Sequence, residues 1–454
     1  MFNPEKFIGK TACVLGAGKS GREAAKLLAR HGFSVLISEE NKLARAPELA
    51  PGISVETGGH SARVFDCGFI IKSPGIFPNH PLLQEARKRK IPVFSELEIA
   101  LAFMPKDICV LAVSGTNGKT TTTALLGEIL KEHCLRRYPK RRTFVAGNIG
   151  APVSAAADHI RPKDFLVLEV SSYQLEDSTF FRPKVACLLN ITPDHLDHHG
   201  GMENYIAAKA RLFKNQRSND FAVLNGADLN CASLAASLKS NLSAFSAKPG
   251  HELKTDVFFD GDEIIFSAGY RLRPPKLIGI HNVENAMAAA LCALAVQVPA
   301  PTIQSVFDRF KPMEHRIEPA AQVNGVTYIN DSKATNLDST LIALESFDKK
   351  PHIWLILGGR DKGASYEVLS AEINARCKAV LTIGESMDKI ARELKADVPL
   401  VRCGDLEKAV QYAAAHARRG EVVLLSPACA SFDQFKDYEE RGRVFKRLVL
   451  ALPK

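Results

Sequence analysis

The chain has 454 residues, which exceeds the size of one ordinary domain and favours an organisation into three domains. Hydrophobic residues make up 46% of the sequence and charged residues 24%, a composition typical of soluble globular proteins. The ten cysteines form no C-x-x-C pair, which argues against zinc and dithiol redox motifs and suits a reducing compartment.

Targeting and membrane signals are not predicted in this sequence. The N-terminal residues MFNPEKFIGK contain no apolar segment of the kind found in signal peptides. The longest apolar stretch, near residues 286–296, is well short of the roughly 18 residues of a membrane span. We therefore expect a cytoplasmic protein that does not insert into membranes, and we expect a monomer.

The formal net charge of +9 permits a polyanionic partner. The most basic tract is RRYPKRR, residues 136–142, and aromatic residues are sparse around it. We interpret it as a solvated basic loop and predict no nucleic-acid partner. The alternative is that the net positive field attracts polyanionic substrates such as nucleotides.

Short apolar strands alternate with amphipathic helices along the chain, the pattern of parallel α/β sheets. The first series comprises strand 11–15, helix 22–30, strand 34–38, strand 69–72 and helix 96–103. Met104-Pro105 follows as a predicted linker between domains. These elements and this linker predict a first domain over residues 1–104.

Two further series of elements follow the first linker. The second comprises strands 108–113, 165–169, 185–189 and 221–225, a hairpin in VFFDGDEIIF, and helices 283–296 and 303–310. Lys311-Pro312 is a second predicted boundary. The third series comprises a hairpin at Asn324-Gly325 and strands 352–357, 379–383 and 421–425. The predicted second and third domains are therefore residues 105–312 and 313–454.

A phosphate-binding loop is predicted after strand 108–113. The strand leads into Ser114-Gly115-Thr116-Asn117-Gly118-Lys119-Thr120, and a helix follows. Glycines allow backbone N–H groups to converge on phosphate oxygens, and the helix N-terminus adds partial positive charge. Lys119 would bind the β- and γ-phosphates and Thr120 would bind Mg²⁺. Val113 stands where the strict pattern has glycine, and a chance Gly-Lys-Thr is the alternative to ATP binding.

Chemistry-bearing side chains also follow the next two predicted strands. Glu169 ends strand 165–169, where a carboxylate faces the ligand crevice and can bind Mg²⁺. His195 lies in NITPDHLD after strand 185–189 and can bind a metal through one ring nitrogen. The neighbouring His198 and His199 leave zinc as an alternative, although a phosphate-binding context favours magnesium.

Near the N-terminus, Gly16, Gly18 and Gly21 form G-x-G-x-x-G after strand 11–15. With Glu39 or Glu40 about 20 residues further on, this pattern is typical of dinucleotide binding. An NAD-dependent dehydrogenase is therefore an alternative from another class of enzyme. The phosphate loop argues against it, because that loop already predicts ATP as the cofactor.

Many motifs of the chain, in order and spacing, resemble those of the Mur ligases and their relative folylpolyglutamate synthetase. The matching stretches are SGTNGKTTT, GNIG at 147–150, EVSSYQL at 169–175, NITPDHLD, YIAAKARLF at 205–213, GIHNVENAMAA at 279–289, EHRIE at 314–318, NDSKATN at 330–336, LGGRDKGASY at 357–366 and SPACASFDQFKDYEERG at 426–442. The resemblance implies an α/β protein of three domains: a Rossmann-like N-terminal domain, a P-loop-type central ATPase domain and a Rossmann-like C-terminal domain. A sibling Mur ligase or a folylpolyglutamate-type synthetase is an alternative within this group.

The resemblance implies roles for residues at the ATP site. Nucleotide-binding positions are Gly115, Thr116, Asn117, Gly118, Lys119, Thr120, Thr121, Asn285, Arg316, Asp331 and Lys333. Two Mg²⁺ ions are expected, with Thr120, Glu169, His195 and Lys209 as their protein partners. Lys209 matches the family lysine that becomes carbamylated, which would convert a cation into anionic oxygens suited to magnesium. The implied catalytic residues are Lys119, His195 and Lys209.

The resemblance also implies the substrates. The C-terminal stretch 426–442 is most similar to the members that add D-glutamate to UDP-N-acetylmuramoyl-L-alanine through an acyl phosphate. Positions expected to contact the UDP-linked substrate are Lys19, Ser20, Ser73, Gly75, Asn148 and Ser171. Positions expected around D-glutamate are Thr335, Lys362, Ser431, Phe432 and Tyr438. The expected function is an ATP-dependent ligase of peptidoglycan precursor synthesis.

Overall fold

The computed structural model describes residues 3–43, 50–247 and 252–453. By its internal contacts the chain divides into two compact units, Met1–Pro275 with Glu284–Arg309, and Lys276–Val283 with Phe310–Lys454. Two sheets lie in the first unit and one in the second. The predicted three-domain α/β class is confirmed, while the boundaries after residues 104 and 312 stay predictions.

The N-terminal sheet is parallel throughout and has the order β3-β2-β1-β4-β5 among the described residues. Its strands are β1 (Ala12–Leu15), β2 (Val35–Glu39), β3 (Ile53–Thr57), β4 (Phe69–Lys72) and β5 (Val93–Ser95). Its helices are α1 (Lys19–Arg30), α2 (Pro81–Lys88) and α3 (Glu96–Ala102). The strand order reverses between β1 and β4, which opens a ligand crevice at their carboxyl ends.

The central sheet has the order β14-β13-β12-β11-β10-β9-β6-β8-β7 in the part that the structure describes. Its strands are β6 (Cys109–Ser114), β7 (Thr143–Gly147), β8 (Phe165–Glu169), β9 (Val185–Leu188), β10 (Phe221–Asn225), β11 (Asn241–Ser246), β12 (Val257–Phe259), β13 (Ile264–Phe266) and β14 (Arg271–Leu272). Its helices are α4 (Lys119–Arg137), α5 (Val153–Ala156), α6 (Ser172–Glu176), α7 (Leu196–His199), α8 (Met202–Ala210), α9 (Leu229–Ser233), α10 (Ile280–Ala295) and α11 (Ala300–Phe307). The strands from β7 to β12 pair in parallel, whereas β12, β13 and β14 pair antiparallel.

The C-terminal sheet has the order β15-β16-β20-β17-β18-β19 within residues 310–453. Its strands are β15 (Glu318–Val323), β16 (Val326–Asn330), β17 (Ile353–Gly358), β18 (Cys377–Ile383), β19 (Leu400–Gly404) and β20 (Val422–Leu425). Its helices are α12 (Leu337–Glu345), α13 (Ser370–Arg376), α14 (Met387–Glu393), α15 (Leu406–His416) and α16 (Tyr438–Leu450). The strands from β16 to β19 pair in parallel, and β15 pairs antiparallel with β16.

Both predicted hairpins are confirmed. Asp260-Gly261 joins β12 to β13, and Asn324-Gly325 joins β15 to β16. Asn324 and Gly325 both have positive φ, 50° and 78°, which a two-residue turn of this type requires. No helix among the described residues is long and apolar enough to cross a bilayer.

The N-terminal and central sheets are joined by buried polar contacts within the first unit. Lys72, at the end of β4 and 2% exposed, places its Nζ 2.9 Å from Oδ2 of Asp177. The Oε1 atom of buried Glu96 accepts from the backbone N–H of Ser154 at 2.6 Å. Oε1 of Glu98 accepts from the backbone N–H of Phe181 at 2.8 Å. Because charged and polar groups are costly to bury without partners, these contacts fix how the two sheets meet.

At the end of β7 the backbone packs closely against the neighbouring strand β8. Gly147 has φ 107°, and a Cβ there would lie 2.3 Å from the carbonyl oxygen of Glu169. Gly261 has the similar φ of 111° but open space around it. We therefore expect Gly147→Ala to cost about 1–3 kcal/mol more stability than Gly261→Ala, because only the first adds a collision with backbone. Thermal unfolding of both variants measures the difference, and equal losses would contradict it.

Candidate active site

The phosphate loop is built as the sequence predicts. Buried strand β6 ends at Ser114, and helix α4 begins at Lys119. Gly118 caps this helix with φ 83°, and a Cβ there would lie 2.3 Å from Oδ1 of Asn285. The loop needs glycine at this position for backbone conformation and for space. The first turn of α4, with Thr120 and Thr121 buried, places a helix N-terminus next to the loop.

Two lysines share one backbone oxygen of this loop. Lys119 donates to the carbonyl of Gly115 at 2.9 Å and to that of Thr116 at 2.7 Å. Lys209, 1% exposed on α8, donates to the same Gly115 carbonyl at 2.8 Å. Burial, and then the nearby charge of Lys119, hold the pKa of Lys209 well below its usual value. The structure thus brings together two of the three predicted catalytic residues.

Glu169 lies beside the loop because β8 pairs with β6, with Val113 opposite Glu169. Its Oε1 accepts from Nδ2 of Asn148 at 2.9 Å. Its Oε2 is buried and accepts no hydrogen bond from any residue that the structure describes. A buried carboxylate oxygen without a donor is costly, and a cation compensates for it. Glu169 and the adjacent first turn of α4 therefore offer the oxygen donors that Mg²⁺ prefers.

The loop after β9 forms hydrogen bonds to the phosphate loop on the side opposite β8. Asn190 accepts through Oδ1 from the backbone N–H of Asn117 at 2.8 Å. The backbone N–H of Thr192 donates to Oγ1 of Thr116 at 3.0 Å. His195 follows with φ 54°, and its Nε2 lies 3.4 Å from Oδ2 of Asp194. Because β9, β6 and β8 are neighbours, Lys119, Glu169 and His195 lie on one edge of the sheet.

His198 and His199 both pair with the carboxylate of Glu176, whereas the zinc alternative needs them to bind a metal ion. Nε2 of His198 lies 3.0 Å from Oε2 of Glu176, and Nδ1 of His199 lies 2.8 Å from Oε1. These three ligand-type groups lie within 4.8 Å of one another. However, Nζ of Lys72 lies 3.4 Å from the same Glu176 carboxylate and already compensates its charge. The geometry favours an ion-pair network over a zinc site.

The N-terminal crevice gathers most residues predicted for the UDP-linked substrate. Lys19 begins α1, next to Ser20, and its ammonium donates to the carbonyl of Gly150 at 2.9 Å. Ser73 follows β4, and a Cβ on Gly16 would lie 2.6 Å from its Oγ. The adjacent Gly75 lies in the turn after β4, and Ser171 caps α6 in the central domain. Their contacts with substrate stay predictions.

The structure distinguishes the two acidic residues at the end of β2. Oε2 of Glu39 accepts from the backbone N–H of Ala17 in the glycine loop at 2.7 Å. This contact and others to Asn41 lower the pKa of Glu39. Glu39 is thus the carboxylate that faces the glycine loop, whereas Glu40 lies one residue beyond the strand.

In the second unit, the predicted nucleotide-binding residues Arg316, Asp331 and Lys333 are close in space. Asp331 is buried after β16 and accepts from Oγ of Ser426 at 2.8 Å and from the backbone N–H of Ile317 at 3.2 Å. Burial raises the pKa of Asp331 to about 7, despite these hydrogen bonds and the charge of Arg316. The Lys333 ammonium lies 5.2 Å from the ring centroid of Tyr438.

The residues predicted for D-glutamate follow neighbouring strands of the C-terminal sheet. Thr335 follows β16, Lys362 follows β17, and Ser431 follows β20, which lies between those two strands. The backbones of Arg360 and Ala430 exchange hydrogen bonds of 2.9 and 3.1 Å, which joins the loops after β17 and β20. Phe432 is 63% exposed and Tyr438 begins α16. One sheet edge thus presents a cation, hydroxyls and an exposed aromatic ring.

Comparisons with known proteins match the whole chain. A model of the Mur ligase MurD-like N-terminal domain matches residues 10–95, the Mur ligase middle domain matches 113–293, and the Mur ligase, glutamate ligase domain matches 315–429. The UDP-N-acetylmuramoylalanine--D-glutamate ligase of Elusimicrobium minutum is 52% identical over 452 residues, covering 100% of both chains. The enzyme of the same name from Koribacter versatilis is 46% identical, covering 97% of both.

The chain belongs to the Mur ligase family. Solved structures agree at the level of the fold. The MurF ligase from Thermotoga maritima in complex with ADP has a TM-score of 0.61 and 17% identity, covering 99% of this chain and 97% of that one. A pseudomurein peptide ligase type C from Methanothermus fervidus has a TM-score of 0.58 and 19% identity, covering 92% and 96%. The dehydrogenase alternative loses its support, because its glycine motif lies in a matched Mur ligase domain.

Some residues that organise this Mur ligase site were not predicted from the sequence. Tyr205 places its hydroxyl 3.0 Å from Oγ1 of Thr116, with its ring 4.7 Å from the Lys209 ammonium. Buried Arg441 donates to the carbonyls of Ser332 at 2.8 Å and Cys429 at 3.1 Å. Both residues lie within motifs shared with the family, but their partners, the Thr116 hydroxyl and the Ser332 carbonyl, are distant in sequence.

The buried Asp331 gives a prediction for stability. Its folded pKa of about 7 exceeds the ordinary value of 3.8, so the folded protein binds the proton more tightly. The Asp331 carboxyl therefore contributes fully to the free energy of unfolding below about pH 4, and this contribution is lost as pH rises through about 7. We expect the stability of Asp331→Asn, relative to the unsubstituted protein, to rise between pH 5 and about 8.

Thermal unfolding across this pH range measures the effect. The exposed Asp348, changed to Asn, is the control for the loss of a surface carboxylate. A stability difference for Asp331→Asn that does not vary with pH would contradict the raised pKa of Asp331.

Proposed function

We propose that the chain is an ATP-dependent ligase that joins D-glutamate to UDP-N-acetylmuramoyl-L-alanine in peptidoglycan precursor synthesis. The observation that carries the proposal is one sheet edge that holds the phosphate loop, Lys119, buried Lys209 and Glu169, whose Oε2 has no hydrogen-bond donor among the described residues. The full-length relatives at 52% and 46% identity, named for this reaction, support the choice of substrates. We expect the enzyme to act in the cytoplasm as a monomer.

The phosphate loop and its lysine would hold the triphosphate. Backbone N–H groups at the start of α4, with the partial positive charge of the helix, suit phosphate oxygens. The Lys119 ammonium now donates to two carbonyls of its own loop and would exchange these contacts for the β- and γ-phosphates. The buried Asn285, next to Gly118 and bonded to Thr122 at 3.1 Å, would contribute to nucleotide recognition.

Two Mg²⁺ ions would neutralise the phosphates and the substrate carboxylate when bound. Thr120 and Glu169 would hold the first, and His195 and a carbamylated Lys209 the second. The Lys209 amine is buried near a second ammonium, which disfavours its cationic form. The nitrogen of this amine would attack the carbon of CO₂ through its lone pair. The nitrogen would then lose a proton, which leaves a carbamate. Such a group replaces a cation that repels magnesium with an anion that binds it.

The proposed reaction begins with attack by the carboxylate of the UDP-linked substrate on the γ-phosphorus. ADP leaves and an acyl phosphate forms, which replaces a poor leaving group with a good one. The amine of D-glutamate then attacks the carbonyl carbon, loses a proton and expels phosphate. Lys362, Thr335 and Ser431 would orient the amino acid through its carboxylates, while Lys119 would stabilise charge on the transferred group.

Phosphate release tests the substrate assignment. We expect purified protein with ATP, Mg²⁺ and UDP-N-acetylmuramoyl-L-alanine to release phosphate only when D-glutamate is added. L-alanine, L-lysine and diaminopimelate, each supplied instead, are the matched controls. Release that depends on one of these controls would assign the chain to a sibling ligase, and release with none of the four would contradict the proposal.

Lys209 gives a separate test of the metal site. We expect Lys209→Ala to lose about 100-fold or more in turnover, because the second cation loses its anionic partner. Added acetate or formate should restore part of the activity of this variant only. Lys214→Ala, a nearby exposed lysine, is the control and should retain full activity. Full activity of Lys209→Ala without added carboxylate would show that Lys209 has no role in metal binding.

A further inference from the structure

The central sheet has a second edge that the proposed reaction does not use. Strands β11, β10, β9, β6, β8 and β7 are parallel neighbours, so their amino ends line the edge opposite the phosphate loop. The six connections that enter these strands define what we term the basic edge. They are residues 105–108, 136–142, 161–164, 182–184, 214–220 and 238–240.

The basic edge concentrates positive charge. Its segments contain thirteen Lys and Arg against three Asp, while the whole chain has a net charge of +9. Two of the acids, Asp164 and Asp220, are buried and paired with Arg142 and Arg182. The exposed cations of these fully described segments are Lys106, Arg136, Arg137, Lys140, Arg161, Lys163, Lys214, Arg217 and Lys239. Asp107 is the one exposed acid among them, and Glu132, just outside these segments, pairs with Arg136 at 2.6 Å, so the other exposed cations give this surface a large positive excess.

Large apolar side chains lie next to these cations. Leu135 is 73% exposed and Tyr138 46% exposed, one before and one within the segment 136–142. Phe180, 43% exposed, lies two residues before Arg182. Exposure of apolar side chains to water is unfavourable in free energy, and contact with a partner removes this penalty. The basic edge therefore presents charge and apolar groups together.

The dimensions of the basic edge suit a surface rather than a small anion. Neighbouring strands lie about 4.8 Å apart, so six strands give a strip about 24 Å wide. Helix α4 begins at the phosphate loop, is 19 residues long and ends at Arg137. At a rise of 1.5 Å per residue, it separates the two edges by roughly 28 Å. A partner at the basic edge would thus leave the phosphate loop open.

We propose that the basic edge docks the protein onto an anionic phospholipid surface. Lys and Arg near such a membrane each contribute favourable electrostatic energy, and Leu135, Tyr138 and Phe180 would enter the interfacial region. A duplex backbone would match the charge but would leave these apolar side chains without a role, and single-stranded bases would stack on the two rings but would not cover Leu135. The observations therefore favour lipid over nucleic acid. The proposal concerns a peripheral contact and is independent of the proposed reaction.

Vesicle binding tests the electrostatic part. The full-length protein is sedimented with phosphatidylcholine vesicles that contain phosphatidylglycerol and with vesicles of phosphatidylcholine alone. We expect binding to the anionic vesicles only, weakened by salt. The triple variant Arg137→Glu, Lys140→Glu, Lys163→Glu should bind at least about 100-fold more weakly, because each cation contributes about a factor of five to ten.

The matched control changes the same number of charges elsewhere. Lys88→Glu, Lys349→Glu, Lys350→Glu alters three exposed lysines outside the basic edge and should retain most binding. Thermal unfolding and nucleotide-dependent phosphate release of both triple variants should match the unsubstituted protein, which separates loss of docking from loss of folding. Equal loss of vesicle binding in both triple variants would overturn the proposal.

Leu135 tests the apolar part. Leu135→Ser should weaken binding to anionic vesicles by roughly 10-fold, because burial of a leucine side chain is lost. Leu450→Ser, an equally exposed leucine at a helix end, is the control and should have no effect. Unchanged binding by Leu135→Ser, or tighter binding of the protein to single-stranded RNA or duplex DNA than to the vesicles, would overturn the assignment to lipid.

Discussion

The site depends on the backbone carbonyl of Gly115, which accepts from the ammonium groups of Lys119 and Lys209. Two amines held by one oxygen repel each other when both are charged, and burial adds to the cost for Lys209. Nearby, Oε2 of Glu169 is buried without a donor among the described residues. The edge therefore has positive charge in excess at one point and negative charge unsatisfied at another. A triphosphate with magnesium would compensate both.

Local sequence patterns predicted the parts of this arrangement that depend on neighbours along the chain. The transition from β6 through the glycine loop to α4 and the position of Glu169 at the end of β8 were predicted correctly. Edge strand β7 was not predicted, because TFVAG is short and only partly buried. Without β7 the contact between Asn148 and Glu169 could not be derived, since it follows from the register of Gly147 opposite Glu169.

Contacts between distant segments account for most of what the sequence did not reveal. Lys72 ends an apolar strand and looks like an ordinary surface lysine, yet it is buried against Asp177 and Glu176. Arg441 holds the carbonyls of Ser332 and Cys429. Neither pairing has a local signature, because each joins segments that are distant in the sequence. For the second unit, the sequence predicted the strands that precede Lys362 and Ser431, but the roles of these residues rest on resemblance to the family.

A parallel sheet has two chemically different edges. In this protein the positive potential at each edge comes from a different source. At the carboxyl edge of the central sheet, positive potential comes from the start of α4 and from Lys119, both directed at one loop. At the amino edge it comes from side chains on six connections, where the end of α4 contributes partial negative charge instead. The excess positive charge behind the net charge of +9 therefore does not lie at the nucleotide site. The excess charge is concentrated some 28 Å away, where a surface rather than a nucleotide is its natural partner.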